Sequence, residues 1–173
     1  MLIWILRIIS YIILFYLLYF SQEMSRYLLG RSIGIPADKI KIEMFSFPQR
    51  VAIFDGESWV FSDEERFLTA YSRYDPLWEN GFLYACSGLY GESVLVVAMG
   101  IIFSLGGWRE VALAVVIISL VLNLGQMVYS LYLSWSRDEV RGDYTSIYVL
   151  DPGRGTGYVL VHFLIRVVLL ALL

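Results

Sequence analysis

Four long apolar blocks, at residues 2–20, 82–105, 111–135 and 157–173, limit what this chain can become more than any other feature. A helix that crosses the hydrocarbon core of a bilayer needs about 20 mainly apolar residues at a rise of about 1.5 Å each. The first three blocks reach that length, and the fourth sits at its lower edge. Hydrophobic residues make up 58 % of the 173 positions, above the half or so that is usual in soluble domains. Because the excess is concentrated in the blocks, the expected fold is an all-α polytopic membrane protein. It has about four transmembrane helices in a single membrane domain over residues 1–173, with an insertion of different character at residues 36–75.

The first block is expected to be a retained anchor. It lacks a basic leader and a small-x-small cleavage site, and its apolar run exceeds the roughly 7–15 residues of a signal-peptide core. A net charge of −3 without any basic cluster argues against a nucleic-acid partner, whereas the blocks imply the lipid bilayer. The lone Cys86 excludes an internal disulfide and a cysteine-rich metal site. Four spans place segments 21–81 and 136–156 on one side. Those segments hold Arg26, Arg31, Lys39, Lys41, Arg50, Arg66, Arg73, Arg137, Arg141 and Arg154, against Arg109 and Arg7 opposite. The positive-inside rule then expects both large loops in the cytoplasm and both termini outside, in a plasma (inner) membrane.

The insertion reads as a small antiparallel β segment followed by an interfacial helix. Helix 1 continues to about Arg31, where Gly30 and Gly34 permit termination and Pro36 enforces it. Residues 39–44 alternate charged and apolar side chains, the period of a half-buried strand. Residues 50–54 read as a second strand, Asp55-Gly56 as a hairpin turn and residues 58–61 as the return. Ser62-Asp63-Glu64-Glu65 has the pattern of a capping box, with Ser62 as N-cap. The helix it opens would present Phe67, Tyr71 and Tyr74 as membrane-surface anchors. Asp75-Pro76 is expected to restart a helix that runs into the second span. Gly106-Gly107-Trp108 is a tight turn between spans 2 and 3, and residues 142–157, with five Gly or Pro, read as an irregular loop.

One short pattern reaches beyond fold class. Gln22-Glu23-Met24-Ser25-Arg26 closes the first span, Gly30 and Gly34 follow at four-residue steps, and the two strands come next, the second reached through Phe47-Pro48. This layout resembles the site-2-protease family of intramembrane metalloproteases, over roughly residues 15–60. Family members carry His-Glu-x-x-His at this place, two imidazoles that bind zinc around a glutamate that serves as general base. Here Gln22 and Arg26 stand at the histidine positions, and Glu23 alone remains. The family's third ligand, an aspartate in a later Asn-Pro segment, also departs. Asn123-Leu124-Gly125 lacks the proline and aspartate, and Gly142-Asp143 is at best a displaced counterpart. The resemblance therefore implies a degenerate member, a pseudoprotease without zinc, other metal, cofactor or catalytic residue. It would bind another membrane protein or a transmembrane peptide in the groove that its relatives use for substrate.

The remaining chemistry lies inside the spans. Glu92 falls near the bilayer centre of span 2, beside Ser87 and Gly91, whose spacing suits close helix contact. A charge at that depth costs about 2.5–3.5 kcal/mol even on the lenient insertion scale, so a partner is expected. His162 and Arg166 share one face of span 4, and Asn123, Gln126, Ser130 and Ser134 form a polar stripe on span 3. The expectation is that Glu92 meets Arg166, that Asn123 or Gln126 satisfies leftover polar atoms, and that His162 lies a turn nearer the cytoplasm. Such polar residues more often join helices than bind ligands. Two alternatives to the pseudoprotease follow. One is a small accessory or structural subunit of a larger membrane complex. The other is a transporter or proton-conducting element around Glu92, His162 and Arg166, against which weigh four spans without an internal repeat. No phosphate-binding glycine loop, nucleophile elbow or dinucleotide fingerprint is present.

Overall fold

The order of elements in the computed structural model, which describes residues 2–44, 49–137, 140 and 142–173, follows from the apolar blocks and the breakers between them. Helix α1 covers Leu2–Ser32, strands β1, β2 and β3 cover Ile40–Glu43, Arg50–Phe54 and Trp59–Phe61, and α2 covers Phe67–Ser72. Helices α3 (Gly81–Leu105), α4 (Arg109–Arg137), α5 (Asp143–Leu150) and α6 (Pro152–Leu172) complete the chain. Four helical stretches, Trp4–Ser32, Gly81–Leu105, Arg109–Ser136 and Pro152–Leu172, are long and apolar enough to cross a membrane. The protein is thus mainly helical, with the character of an integral membrane protein. Phe47-Pro48 and Arg141 lie outside the described residues.

Helix α1 ends where Gly34 adopts φ +104°, which lets Ile35 donate its N–H back to the Gly30 carbonyl at 3.0 Å. Gly30 also has a packing role. A Cβ there would come within 2.6 Å of Ile40 Cδ1 and 3.3 Å of the Tyr84 ring, so a larger residue would require Ile40 to change rotamer. The three strands form one antiparallel sheet in the order β1-β2-β3. Its register lines up Ile40, Ile53 and Val60 on the inner face, where they pack with Ile35, Phe67, Tyr71 and Tyr84. On the outer face Lys41 Nζ lies 4.4 Å from the Trp59 ring centre and the Arg50 guanidinium 4.3 Å from that of Phe61. Asp55 makes the β2–β3 turn, its carboxylate accepting from the N–H groups of Glu57 and Ser58 at 2.9 and 2.8 Å.

Three local expectations need correction. The Ser62 capping box does not open a helix. Glu64 instead accepts from the Phe61 N–H at 3.1 Å, closing a turn, and α2 starts only at Phe67. Phe67 and Tyr71 are buried beneath the sheet instead of being displayed as anchors, because the Tyr71 ring stacks on Tyr84 at 4.5 Å. Burial, followed by the hydrogen bond to Asp75, holds the Tyr71 hydroxyl above its ordinary range. Pro76 starts no helix, since Asp75 spends its carboxylate on the N–H groups of Glu79 and Asn80 and on the Tyr71 hydroxyl. Helix α3 begins only at Gly81.

The expected loop at residues 142–157 is likewise mostly helix. Gly142, at φ +80°, precedes α5, and Asp151 caps α6 by accepting from the Arg154 N–H at 2.9 Å, with Pro152 in the first turn. Proline and glycine here punctuate two helices instead of dissolving one. Among the spans, α1 and α3 make the most extensive contact. A Cβ on Gly91 would fall 2.4 Å from Ser25 Cβ and 3.2 Å from the Ser21 carbonyl oxygen, and one on Gly88 2.9 Å from Arg26 Nη2. The close face of α3 is therefore Gly88 with Gly91.

Candidate functional site

Two polar clusters lie on the inner faces of these helices. The first surrounds Glu92, which is wholly buried with Arg166. Arg166 Nη2 lies 3.1 Å from Glu92 Oε2, close enough for an ion pair though misaligned for a hydrogen bond. Asn123 Nδ2 donates to both carboxylate oxygens, at 2.9 and 2.7 Å, Ser119 donates its hydroxyl at 2.5 Å, and Gln22 Nε2 donates at 3.0 Å. Arg166 donates in turn to Ser119 Oγ at 2.8 Å, to the His162 carbonyl at 2.6 Å and to Ser93 Oγ at 3.2 Å. Both carboxylate oxygens of Glu92 thus have donors, which is how a charge survives in a medium without water.

His162 joins this cluster through both ring nitrogens. Nε2 lies 3.0 Å from Asn123 Oδ1 and Nδ1 lies 2.9 Å from Ser93 Oγ. The tautomer follows from Asn123. Its amide nitrogen is committed to Glu92 and the Ser119 carbonyl, so Oδ1 is an acceptor and Nε2 must carry the proton. The Tyr144 hydroxyl donates to the same Oδ1 at 3.0 Å. Burial and the nearby Glu92 hold Tyr144 above its ordinary range, so it stays a donor.

The second cluster lies toward the sheet. Arg26 donates to Glu23 Oε1 from one terminal nitrogen and to Asp143 Oδ1 from the other. Glu23 Oε2 accepts from the Val51 N–H of β2 at 2.6 Å and, more weakly, from the Ser62 hydroxyl at 3.4 Å. The helix end, the sheet and the first turn of α5 are tied together there. A cavity of about 90 Å³ adjoins it, bounded by Gln22, Glu23, Arg26, Ser62, Gln126 and Asp143 among others. It has room for several waters and not for an extended peptide. Gln22 and Gln126 exchange amide hydrogen bonds of 2.9 and 3.3 Å at its inner end, next to the first cluster.

Each candidate residue thus finds a place. Gln22 belongs with Glu92, Asn123, Gln126, His162 and Arg166, while Glu23 and Arg26 belong with Asp143, and Gly30 and Gly34 shape the end of α1. Ser134 lies apart, on a separate groove that Met127 and Thr145 also line. The sequence reading misses Ser93, Ser119 and Tyr144. Extending the Asn123–Ser130 stripe one turn back finds Ser119, whereas no sequence spacing announces Ser93 or Tyr144.

No family model, curated protein or solved structure matches the chain.

The residues present do not fit a zinc ion at the position the resemblance marks. Zinc takes neutral imidazole, thiolate or carboxylate ligands, yet a guanidinium here contacts both carboxylates directly. Among the described residues, no three His, Cys, Asp or Glu side chains gather in a way that would hold a metal.

Proposed function

We propose that this chain is a catalytically inactive, site-2-protease-like membrane protein that binds a transmembrane partner. Arg26 carries this reading. Its guanidinium sits between Glu23 and Asp143, so the positive charge that a metal would supply is part of the chain itself. Because the cavity beside Glu23 is too small for a peptide, the partner docks elsewhere, most simply on the free edge of β1 by strand addition. A photo-crosslinking residue at Ile42 should capture a discrete membrane protein from cells, and the purified chain should hold no stoichiometric zinc. One equivalent of zinc, or crosslinks to lipid alone, would overturn the reading.

The small volume beside Glu23 also favours a second reading, a small accessory subunit that uses no ancestral groove. In that case the captured partner would crosslink from exposed α1 positions such as Ile8 or Ile12 and not from Ile42. In both readings the sheet and α2 face the cytoplasm and the termini face outward. Single cysteines at Asp63 and Asp151, in a Cys86-free background, should resist an impermeant thiol reagent in intact cells. Labelling of both from outside would reverse this orientation.

A further inference from the structure

Helix α5 lies deeper than a connection between two spans requires. Gly142, which precedes it, sits beside Ser130, and a Cβ on this glycine would fall 2.4 Å from the Ser130 hydroxyl oxygen. Ser130 is seven residues short of the end of α4, about 10 Å back along that helix. Helix α5 thus begins inside the bundle and leads to Asp151, an extended residue, after which α6 starts. Its Ile147 is wholly buried with Cys86 and Leu89 of α3, whereas Tyr148 faces a groove of about 340 Å³ that α4 and α6 also line. Its first two residues hold one polar cluster each: Asp143 accepts from Arg26, and the Tyr144 hydroxyl donates to Asn123. The Asp143 hold is releasable. Arg26 and Glu23 already balance each other's charge, so Asp143 leaves no stranded guanidinium behind. The Asp143 side chain is 20 % exposed, against 4 % for Arg26, and it borders the cavity, where water can receive it. A helix of eight residues has little stability of its own, so α5 keeps its place by such contacts.

We propose that α5 is a lid over the polar interior, latched by Asp143 on Arg26, and that its release admits water to the Glu92–Arg166 pair. When Asp143 lets go, Tyr144 is drawn off Asn123 Oδ1, which keeps His162 Nε2 as its partner. Asn123 and the network it shares with Glu92 then face the space that α5 occupied. Asp151 supplies the pivot. Its extended backbone uncouples α5 from α6, while its carboxylate keeps α6 capped by accepting from the Arg154 N–H. The lid uses neither the β1 edge nor the loss of the zinc ligands, and so it stands apart from the partner reading.

The test is amide hydrogen exchange of the full chain in lipid nanodiscs, followed by mass spectrometry. In Asp143→Asn the amides of α5 should exchange about tenfold faster, as loss of one hydrogen bond to a charged group predicts, while those of α3 and α6 keep their rates. Ser119→Cys, in a Cys86→Ala background, should gain reactivity toward a water-soluble thiol reagent when Asp143→Asn is added. Val115→Cys, in the apolar core of the same helix, should stay unreactive in that background. A disulfide between Gly142→Cys and Ser130→Cys guards against misfolding. A Cβ on Gly142 would lie 3.5 Å from that of Ser130, at the near limit for such a bond, and the bond should restore slow exchange in Asp143→Asn. Unchanged exchange of α5 in Asp143→Asn would overturn the proposal. So would faster exchange spread through α3 and α6, or an α5 that opens while Ser119→Cys stays unreactive.

Discussion

The Glu92 and Arg26 clusters solve one problem, a buried arginine, in opposite ways. Arg166 has one carboxylate, to which neutral Ser, Asn and Gln side chains also donate, and Glu92 and Arg166 themselves line no cavity although Gln22 beside them does. Arg26 has two carboxylates and an adjoining cavity. The first arrangement is charge-balanced and sealed, and the second is over-supplied with negative charge and open to a few waters. Depth accounts for the contrast: a residual charge costs most where no water reaches, so excess carboxylate is tolerated only beside the sheet.

The comparison can be broken most sharply at Arg166. Arg166→Gln or Glu92→Gln alone leaves an unpaired buried charge and should cost about 3–5 kcal/mol in detergent unfolding. The double substitution should cost less than the sum, and strictly additive losses would mean that the two residues are not coupled. Arg26→Gln should follow, destabilising by less than Arg166→Gln because water in the cavity screens the two carboxylates it leaves behind. Equal losses would erase the distinction between sealed and open. Glu23→Gln should be milder still, about 1–2 kcal/mol, the worth of a hydrogen bond to a charged group. Asp143 remains to neutralise Arg26, and the amide oxygen that this substitution introduces still accepts from the Val51 N–H.

Access supplies an independent check. In a Cys86-free background, Ser130→Cys, beside the cavity, should react with a water-soluble thiol reagent, and Ser119→Cys should not. The smallest effect belongs to neither cluster. Asp55 is held below its ordinary carboxylate range, first by its backbone hydrogen bonds with Ser58 and Glu57. Its contribution is therefore complete above the normal carboxylate range and is lost as pH falls through the lowered folded value. Asp55→Ala should lower stability slightly at neutral pH and hardly at all in strong acid, which flattens the acid limb.

Much of this is legible from sequence, for physical reasons that differ by element. The four apolar blocks and the Asp55-Gly56 hairpin announce themselves because each is encoded within one short window. The Glu92–Arg166 pairing can be deduced because a membrane leaves few ways to satisfy a buried charge. Helix α5 escapes sequence reasoning because Gly142 and Pro152 read as loop punctuation, whereas they bound a helix of eight residues. The Arg26–Asp143 contact joins positions 117 residues apart, and nothing local marks it. The aromatic face of α2 reads as facing lipid because a single helix does not reveal which neighbour, sheet or bilayer, its apolar side will meet.

The chain order of the Glu92 network has a consequence for biogenesis. Gln22 is synthesised before Glu92, Ser119 and Asn123 follow, and Arg166 comes last, so the neutral donors are in hand well before the counter-ion. A nascent α3 enters the bilayer with an acidic side chain and only the Gln22 amide to receive it, joined by Ser119 and Asn123 when α4 follows. Its burden is lifted when α6 emerges from the ribosome. Stalling translation between α4 and α6 should therefore leave an insertion intermediate that membrane quality control degrades, while a chain stalled after α1 should persist.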